Sequence, residues 1–274
     1  MLNKRIVFYL TPWGKKILFM LAAVLILTIL LNATFFVRLG KNPLDSRCIL
    51  IDPGHGGVDG GAVSGAVMEK DINLQLSLEL KKLLEARGAY VEMTRQEDIA
   101  LGTADESGTG RHLRDLTARL NRVNSGKFDI FLSIHVNRAS SETPIGPMVL
   151  YSAHLPVNTF LAADLQESLN RHTSQVLHHE TRRQPVKSDA FLLLNAKTPG
   201  VLIETGFLSN PRECGLLQDP AYREKLAQAV ISGLGSYFSK DECENPLRRK
   251  EAPAGGEREI PIETLNNSHM AQIK

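Results

Sequence analysis

The chain has 274 residues, enough for one sizeable α/β domain with flanking segments but cramped for two large domains. Hydrophobic residues make up 43% and charged residues 23%, ordinary globular proportions, while a net charge of +2 and the lack of a basic stripe with interleaved aromatics argue against nucleic-acid binding. Cys48, Cys214 and Cys243 have no CxxC spacing, so they read neither as a zinc knot nor as a disulfide framework. Cys48 sits in an apolar run as a small hydrophobe, and a Cys214–Cys243 bridge stays open if the domain is extracytoplasmic.

Residues 1–16 carry Lys4, Arg5, Lys15 and Lys16 ahead of an apolar stretch, Ile17 to Val37, interrupted only by Thr28, Asn32 and Thr34. As a helix this stretch covers roughly 30 Å, the thickness of a bilayer core, and its basic flank favours a cytoplasmic N-terminus. Tyr9 and Trp13 suit the lipid–water interface. A cleaved signal peptide is the rival reading, but its apolar region is normally shorter and no convincing small-x-small site stands between Leu30 and Leu39. A buried core helix would need a polar face at helical period, which is missing. The expectation is a single-pass anchor or signal segment over 17–37 in the cell membrane, with everything after Gly40 exported, and secreted if the segment is cut.

After a linker over 38–47, Cys48-Ile-Leu-Ile51 reads as a buried strand that meets a turn at Asp52-Pro53-Gly54. Glu69 to Arg87, with Ile72, Leu76, Leu80 and Leu83 at helical spacing and Gly88 as a stop, predicts an amphipathic helix. A strand over Ala89–Thr94 follows, then a loop from Ala100 to Gly110 and a helix over Leu113–Val123. Phe128–Val136 reads as a buried strand, Pro147–Ser152 as a short strand, and Phe160–Arg171 as a helix. Val201-Leu-Ile203 is a further buried strand and Tyr222–Phe238 a final helix. Buried strands alternating with amphipathic helices predict a single α/β catalytic domain over 48–240, with a mostly parallel or mixed sheet and helices on both faces. Residues 241–274 turn polar and rich in Pro and Gly, and read as a disordered tail.

Four residues are candidates for chemistry. His55 lies in the glycine-rich loop Asp52-Pro-Gly-His55-Gly-Gly-Val-Asp59-Gly-Gly-Ala62, at the carboxyl end of a strand, where sites gather in open α/β sheets. His135 ends another strand in Ser133-Ile-His-Val-Asn137, and Glu69 opens the first helix. Two histidines and a carboxylate leave an open position on a zinc ion, as hydrolytic zinc sites require. Glu204 directly follows the Val201-Leu-Ile203 run, where an acid is costly to bury without a partner or a task. Taken singly, each has a plainer explanation: a satisfied polar histidine, a carboxylate favouring a helix N-terminus, or the buried partner of an arginine. His178-His179-Glu180 reads as a solvated segment, and His154 could line the cleft.

The ordered set carries more weight than its members. Ile51-Asp-Pro-Gly-His-Gly-Gly-Val-Asp-Gly-Gly-Ala62, Glu69-Lys70, Met93-Thr-Arg95, Leu116-Thr-Ala-Arg119 leading to Asn124, Ser133-Ile-His-Val-Asn137 and Val201-Leu-Ile-Glu-Thr-Gly-Phe-Leu-Ser-Asn-Pro211 together resemble the zinc amidases of N-acetylmuramoyl-L-alanine amidase family 3. The resemblance covers about residues 48 to 238. It implies one Zn2+ per chain on His55, Glu69 and His135, with Glu204 as catalytic acid/base, and peptidoglycan as the substrate. The bond cut would join the lactyl group of N-acetylmuramic acid to L-alanine. Asp59 and Asn137 are adjacent candidates for orienting the histidines.

Arg138 departs from the family's pattern, where a small residue often follows the Asn, and is expected to alter the rim of the groove. Only Arg138 to Ile145 separates the second zinc histidine from Gly146-Pro147, too short for the blocking helix that some relatives carry. An N-terminal anchor and the lack of wall-binding repeats make the chain similar to germination-specific amidases of spore-forming bacteria, which implies spore cortex and muramic-δ-lactam formation. Vegetative cell-separation amidases share these motifs, a zinc peptidase shares the ligand logic, and a non-catalytic scaffold would be expected to have lost one of the four residues. A protein activator is left open.

Overall fold

In the computed structural model, residues 11–40, 42–102, 110–177 and 182–244 are described. The predicted tail beyond residue 244 and His178-His179-Glu180 lie outside them, as do the Cys243 side chain and most of the Ala100–Gly110 loop.

Helix α1, Pro12–Gly40, begins before and ends after the predicted apolar run. None of its Pro12–Ile29 window is buried, and the helix is long and apolar enough to cross a membrane. Trp13 is 78% exposed at its start.

The domain that follows is built from β1 (Cys48–Pro53), the hairpin β2 (Val63–Ser64) and β3 (Val67–Met68), α2 (Glu69–Glu85), β4 (Tyr90–Met93), α3 (Arg111–Val123) and β5 (Ile130–Asn137). Then come β6 (Met148–Tyr151), α4 (Val157–Leu177), β7 (Val186–Lys187), α5 (Phe191–Asn195), β8 (Gly200–Phe207), α6 (Pro211–Gln218) and α7 (Pro220–Glu244). The six-stranded sheet has the order β4-β1-β5-β8-β6-β7. Strands β4, β1, β5 and β8 run parallel, β6 runs antiparallel to β8, and β7 parallel to β6. The sheet is therefore mixed, with helices on both faces as expected.

Alternation along the strands explains the two cores. Ile49, Ile51, Ile130, Leu132, Ile134, Val201 and Ile203 face α2, α4 and α7 in one apolar cluster. Leu50 and Phe131 face the other way, against Leu120 and Val123 of α3 and Leu192 and Leu193 of α5. Helix α2 places Ile72, Leu76, Leu80 and Leu84 in the first cluster, and Glu69 and Asp71 in its first turn suit the positive end of the helix dipole. Helix α6 was not expected from periodicity, although its local signals are strong. Asn210 caps it by accepting the N–H groups of Arg212 and Glu213, both at 3.1 Å, with Pro211 in the first turn.

One boundary bears on the site. The sequence places Glu204 after its strand, but β8 continues to Phe207, so Glu204 sits inside it, paired with His135 on one side and Met148 on the other. Sharing the face of Leu202, Glu204 stands beside His135, which shares the face of Phe131.

Candidate metal centre and active site

His55, Glu69 and His135 come together at the carboxyl ends of β1 and β5, their donor atoms all within 4.8 Å of one another. Glu69 is buried between the imidazoles, with Oε2 3.2 Å from His55 Nε2 and Oε1 3.0 Å from His135 Nδ1. Ligand atoms on a tetrahedral ion at roughly 2.0–2.1 Å lie about 3.3 Å apart, so these spacings fit a divalent cation. The rings meet edge to face, with centroids 5.0 Å apart.

Two glycines allow this approach. A Cβ on Gly54 would lie 2.2 Å from the His135 ring, and one on Gly61 would lie 2.5 Å from Glu69 Oε2. Gly61 also has φ +66°, a conformation open to glycine. His55 itself adopts φ 61°, strained for a residue with a side chain. It is held there from outside the loop.

The holding groups are two buried arginines. Arg119 of α3 donates Nη2 to the His55 carbonyl at 2.7 Å and Nη1 to the Pro53 carbonyl at 2.8 Å. It also pairs with Asp52 at 2.6 Å and with Asp115 at 2.6 Å. Arg95 takes the carbonyls of Pro53, Gly54 and Lys70 at 3.0, 2.9 and 2.9 Å. Asp52 accepts from Thr94 and Ser133 as well, both at 2.7 Å. Burial alone would raise the Asp52 carboxyl, but Arg119 and the hydrogen bonds of Thr94 and Ser133 outweigh it and hold it below the usual carboxylate range. Both arginines stand in motif segments of the sequence, which give no hint that their partners are backbone carbonyls of the His55 loop.

Asp59 orients His55, with Oδ2 2.8 Å from Nδ1, which leaves Nε2 for an ion. Asn137, the other adjacent candidate, instead accepts the N–H of Arg138 at 2.7 Å and reaches neither histidine. His154 follows the end of β6 that lies away from Glu204, and its ring nitrogens meet Ser152 Oγ at 2.9 Å and the Ala196 carbonyl at 2.7 Å. Cys48 is half-buried rather than fully enclosed.

Burial would lower His55, but the Asp59 and Glu69 hydrogen bonds and charges raise it to about 9. Burial likewise opposes the ionised Glu69, and the two imidazoles override it, keeping its carboxyl far below the normal range. An arriving cation must therefore displace a proton from His55. Glu204 has the opposite character. Burial, reinforced by the charge of Glu69 against the two imidazoles, lifts it to about 7. Its Oε2 is buried and has no hydrogen-bond partner.

A family model described as N-acetylmuramoyl-L-alanine amidase matches residues 49–236, the whole sheet with its helices up to α7. The chain belongs to the N-acetylmuramoyl-L-alanine amidase family. This amidase is 36% identical over 199 residues to the germination-specific N-acetylmuramoyl-L-alanine amidase of Bacillus subtilis, covering 72% of this chain and 82% of the relative. It is 33% identical to N-acetylmuramoyl-L-alanine amidase LytC of the same organism, over 72% of this chain but only 37% of LytC. Among solved structures, the CwlD amidase from Clostridioides difficile, in complex with the GerS lipoprotein, superposes with a TM-score of 0.66 at 34% identity, covering 71% of this chain and 99% of that one. In the amidase described here the four predicted residues share one end of the sheet, and the β5–β6 connection over 138–147 contains no helix.

Proposed function

We propose that this amidase uses a zinc ion on His55, Glu69 and His135 to hydrolyse the amide between the lactyl group of N-acetylmuramic acid and L-alanine, with Glu204 as acid/base. The observation that carries the reading is the unpartnered buried oxygen of Glu204, one strand across from His135. Two imidazole nitrogens and a carboxylate suit zinc with a position left open. When bound there, zinc supplies Lewis acidity toward an amide carbonyl and water. Glu204 takes a proton from the attacking water and delivers it to the departing amine nitrogen, a task suited to a carboxyl poised near 7. Asp59 keeps the His55 ring in one tautomer, and the Arg95–Arg119 grip keeps the strained loop in place.

The germination-specific name of the Bacillus relative supports spore cortex as the substrate of this chain, ahead of vegetative wall. Helix α1, exposed and apolar, supports anchorage in the cytoplasmic membrane with the amidase domain outside it. The short β5–β6 connection supports a site not covered by its own chain.

The test uses the full chain in detergent with zinc, beside Glu204→Gln, on purified cortex and on vegetative peptidoglycan. Mass spectrometry would read peptides that begin with L-alanine. Release from cortex by the parent and not by the variant is the expected result. Equal release by both would remove Glu204 from the mechanism, and new peptide carboxyl ends instead would indicate a peptidase. Release from vegetative wall alone would move the role to cell separation.

A further inference from the structure

Arg138 opens the β5–β6 connection, three residues past His135, and its side chain is exposed. Its guanidinium reaches across to the Val63 carbonyl in the β2–β3 hairpin. This crossing runs beside the one made by Glu69, whose carboxylate takes the N–H of Ala62 at 2.8 Å on the hairpin side and of Val136 at 3.0 Å on the β5 side. The cation lies on the lip of the metal cluster, beside the hairpin. Among the described residues no carboxylate pairs with it.

Three other arginines at this end of the sheet are already engaged. Arg95 and Arg119 are buried on backbone carbonyls and Asp52, and Arg183 holds the Ile145 carbonyl against the Phe207 ring. Beside Arg138 the lip is apolar, with Val63 and Met68 facing each other as a cross-strand pair, 43% and 38% exposed. A guanidinium next to an apolar pair suits a short peptide with a small apolar side chain followed by a carboxylate.

We propose that Arg138 binds the free α-carboxylate on the second residue of the stem peptide, making it a specificity-determining residue; this rests on the amidase reading above. The reach is consistent. Arg138 follows His135 by three residues, at most about 10 Å along an extended chain, and its side chain turns back toward the hairpin. A peptide extended from the cluster sets its second residue about 7 Å from the cleaved amide.

The test compares a disaccharide–tripeptide bearing this carboxylate with its α-amidated counterpart, using the zinc-loaded full chain in detergent. For the parent, amidation is expected to lower kcat/KM about tenfold, mainly through KM, the scale of one charge-assisted contact. Arg138→Ala should lose the same factor on the acid and show no difference between acid and amide. Arg138→Gln, which retains a donor for Val63, should behave alike if the hairpin stays intact, as thermal melting would report. Calorimetric binding of both ligands to Glu204→Gln, with and without Arg138→Ala, reads the contact independently of turnover. Equal losses on both ligands, or no effect on either, would overturn the proposal. If the parent cleaves neither ligand but Glu204→Gln still discriminates them through Arg138, the amidase reading fails and this one stands.

Discussion

Both carboxylate oxygens of Glu69 are engaged. Oε1 meets Asn73 at 3.2 Å, the Val136 N–H at 3.0 Å and His135 at 3.0 Å, while Oε2 meets the Ala62 N–H at 2.8 Å and His55 at 3.2 Å. Glu204 lies one strand away with a buried oxygen that meets nothing, and its carboxyl is lifted to about 7 rather than pressed down. The same side-chain type is thus fixed as an anion in one place and left ready to exchange a proton in the other. Ligands need a rigid frame; a proton carrier needs a low-dielectric position with no competing partner. The sharpest way to break this comparison is Glu204→Gln. It should lower kcat about a thousandfold, within the range of general acid–base catalysis, while zinc content by mass spectrometry stays at the parent value. Loss of zinc in step with activity would show that Glu204 belongs to the ligand frame.

The frame itself depends on charge buried beneath it. Arg119→Ala would leave Asp52 buried and unpaired and release the His55 carbonyl, and should cost about 3–5 kcal/mol of stability in chemical denaturation. Arg119→Lys, with one ammonium in place of a planar fork, should recover only part. The same network sets a pH dependence. Asp52 has a lowered folded-state pKa, so its contribution is complete above the unfolded value of about 3.9 and is lost as pH falls through the folded value. The loss of this contribution should therefore lower the melting temperature as pH falls below about 4. A protein equally stable at about pH 3 would show that Asp52 does not carry this load.

The four candidate residues stand out in the sequence through the ordered motif set that resembles the amidase family, since each taken singly has a plainer explanation. The sheet and the start of α2 bring His55, Glu69, His135 and Glu204 to one end of the domain. The frame was less legible. Arg95 and Arg119 bond to carbonyls up to 66 residues away, and a backbone carbonyl leaves no trace in a sequence. Asn73 resembles an ordinary helix residue until α2 sets it one turn from Glu69 and under the Gly54 carbonyl. The mixed sheet was expected, but β7, at two residues, and α5, at five, are too short for any period to declare itself. An acid ordinarily ends a buried apolar run, so the sequence pattern sets Glu204 beyond its strand, whereas β8 runs on to Phe207. The functional residue broke the local rule.

Between frame and carrier stands Asp59, which touches His55 but not the ion site itself. Asp59→Ala should weaken zinc binding about ten- to a hundredfold, the usual effect of removing a group that orients a ligand. Competition with a chelator of known affinity would measure it. An unchanged affinity would mean that the loop backbone, held through the His55 carbonyl by Arg119, is enough to set the His55 ring.

The smallest expected effect lies at the rim of the same loop. Lys70 donates to the Gly57 carbonyl at 2.7 Å and to Asp98 at 2.6 Å, while Asp98 accepts the Gly57 N–H at 2.7 Å, so the pair clips both backbone polar groups of one residue. Asp98 is 45% exposed, however, and an ion pair open to water is worth about 0–1 kcal/mol. Asp98→Asn keeps an acceptor for Gly57 and removes only the charge. Its melting temperature should fall by no more than about 2–4 °C in dilute buffer, and the gap should narrow in about 0.5 M salt, where the screening length drops to a few ångströms. A fall as large as that of Arg119→Ala, unmoved by salt, would place this clip in the buried frame and erase the distinction between loop and rim.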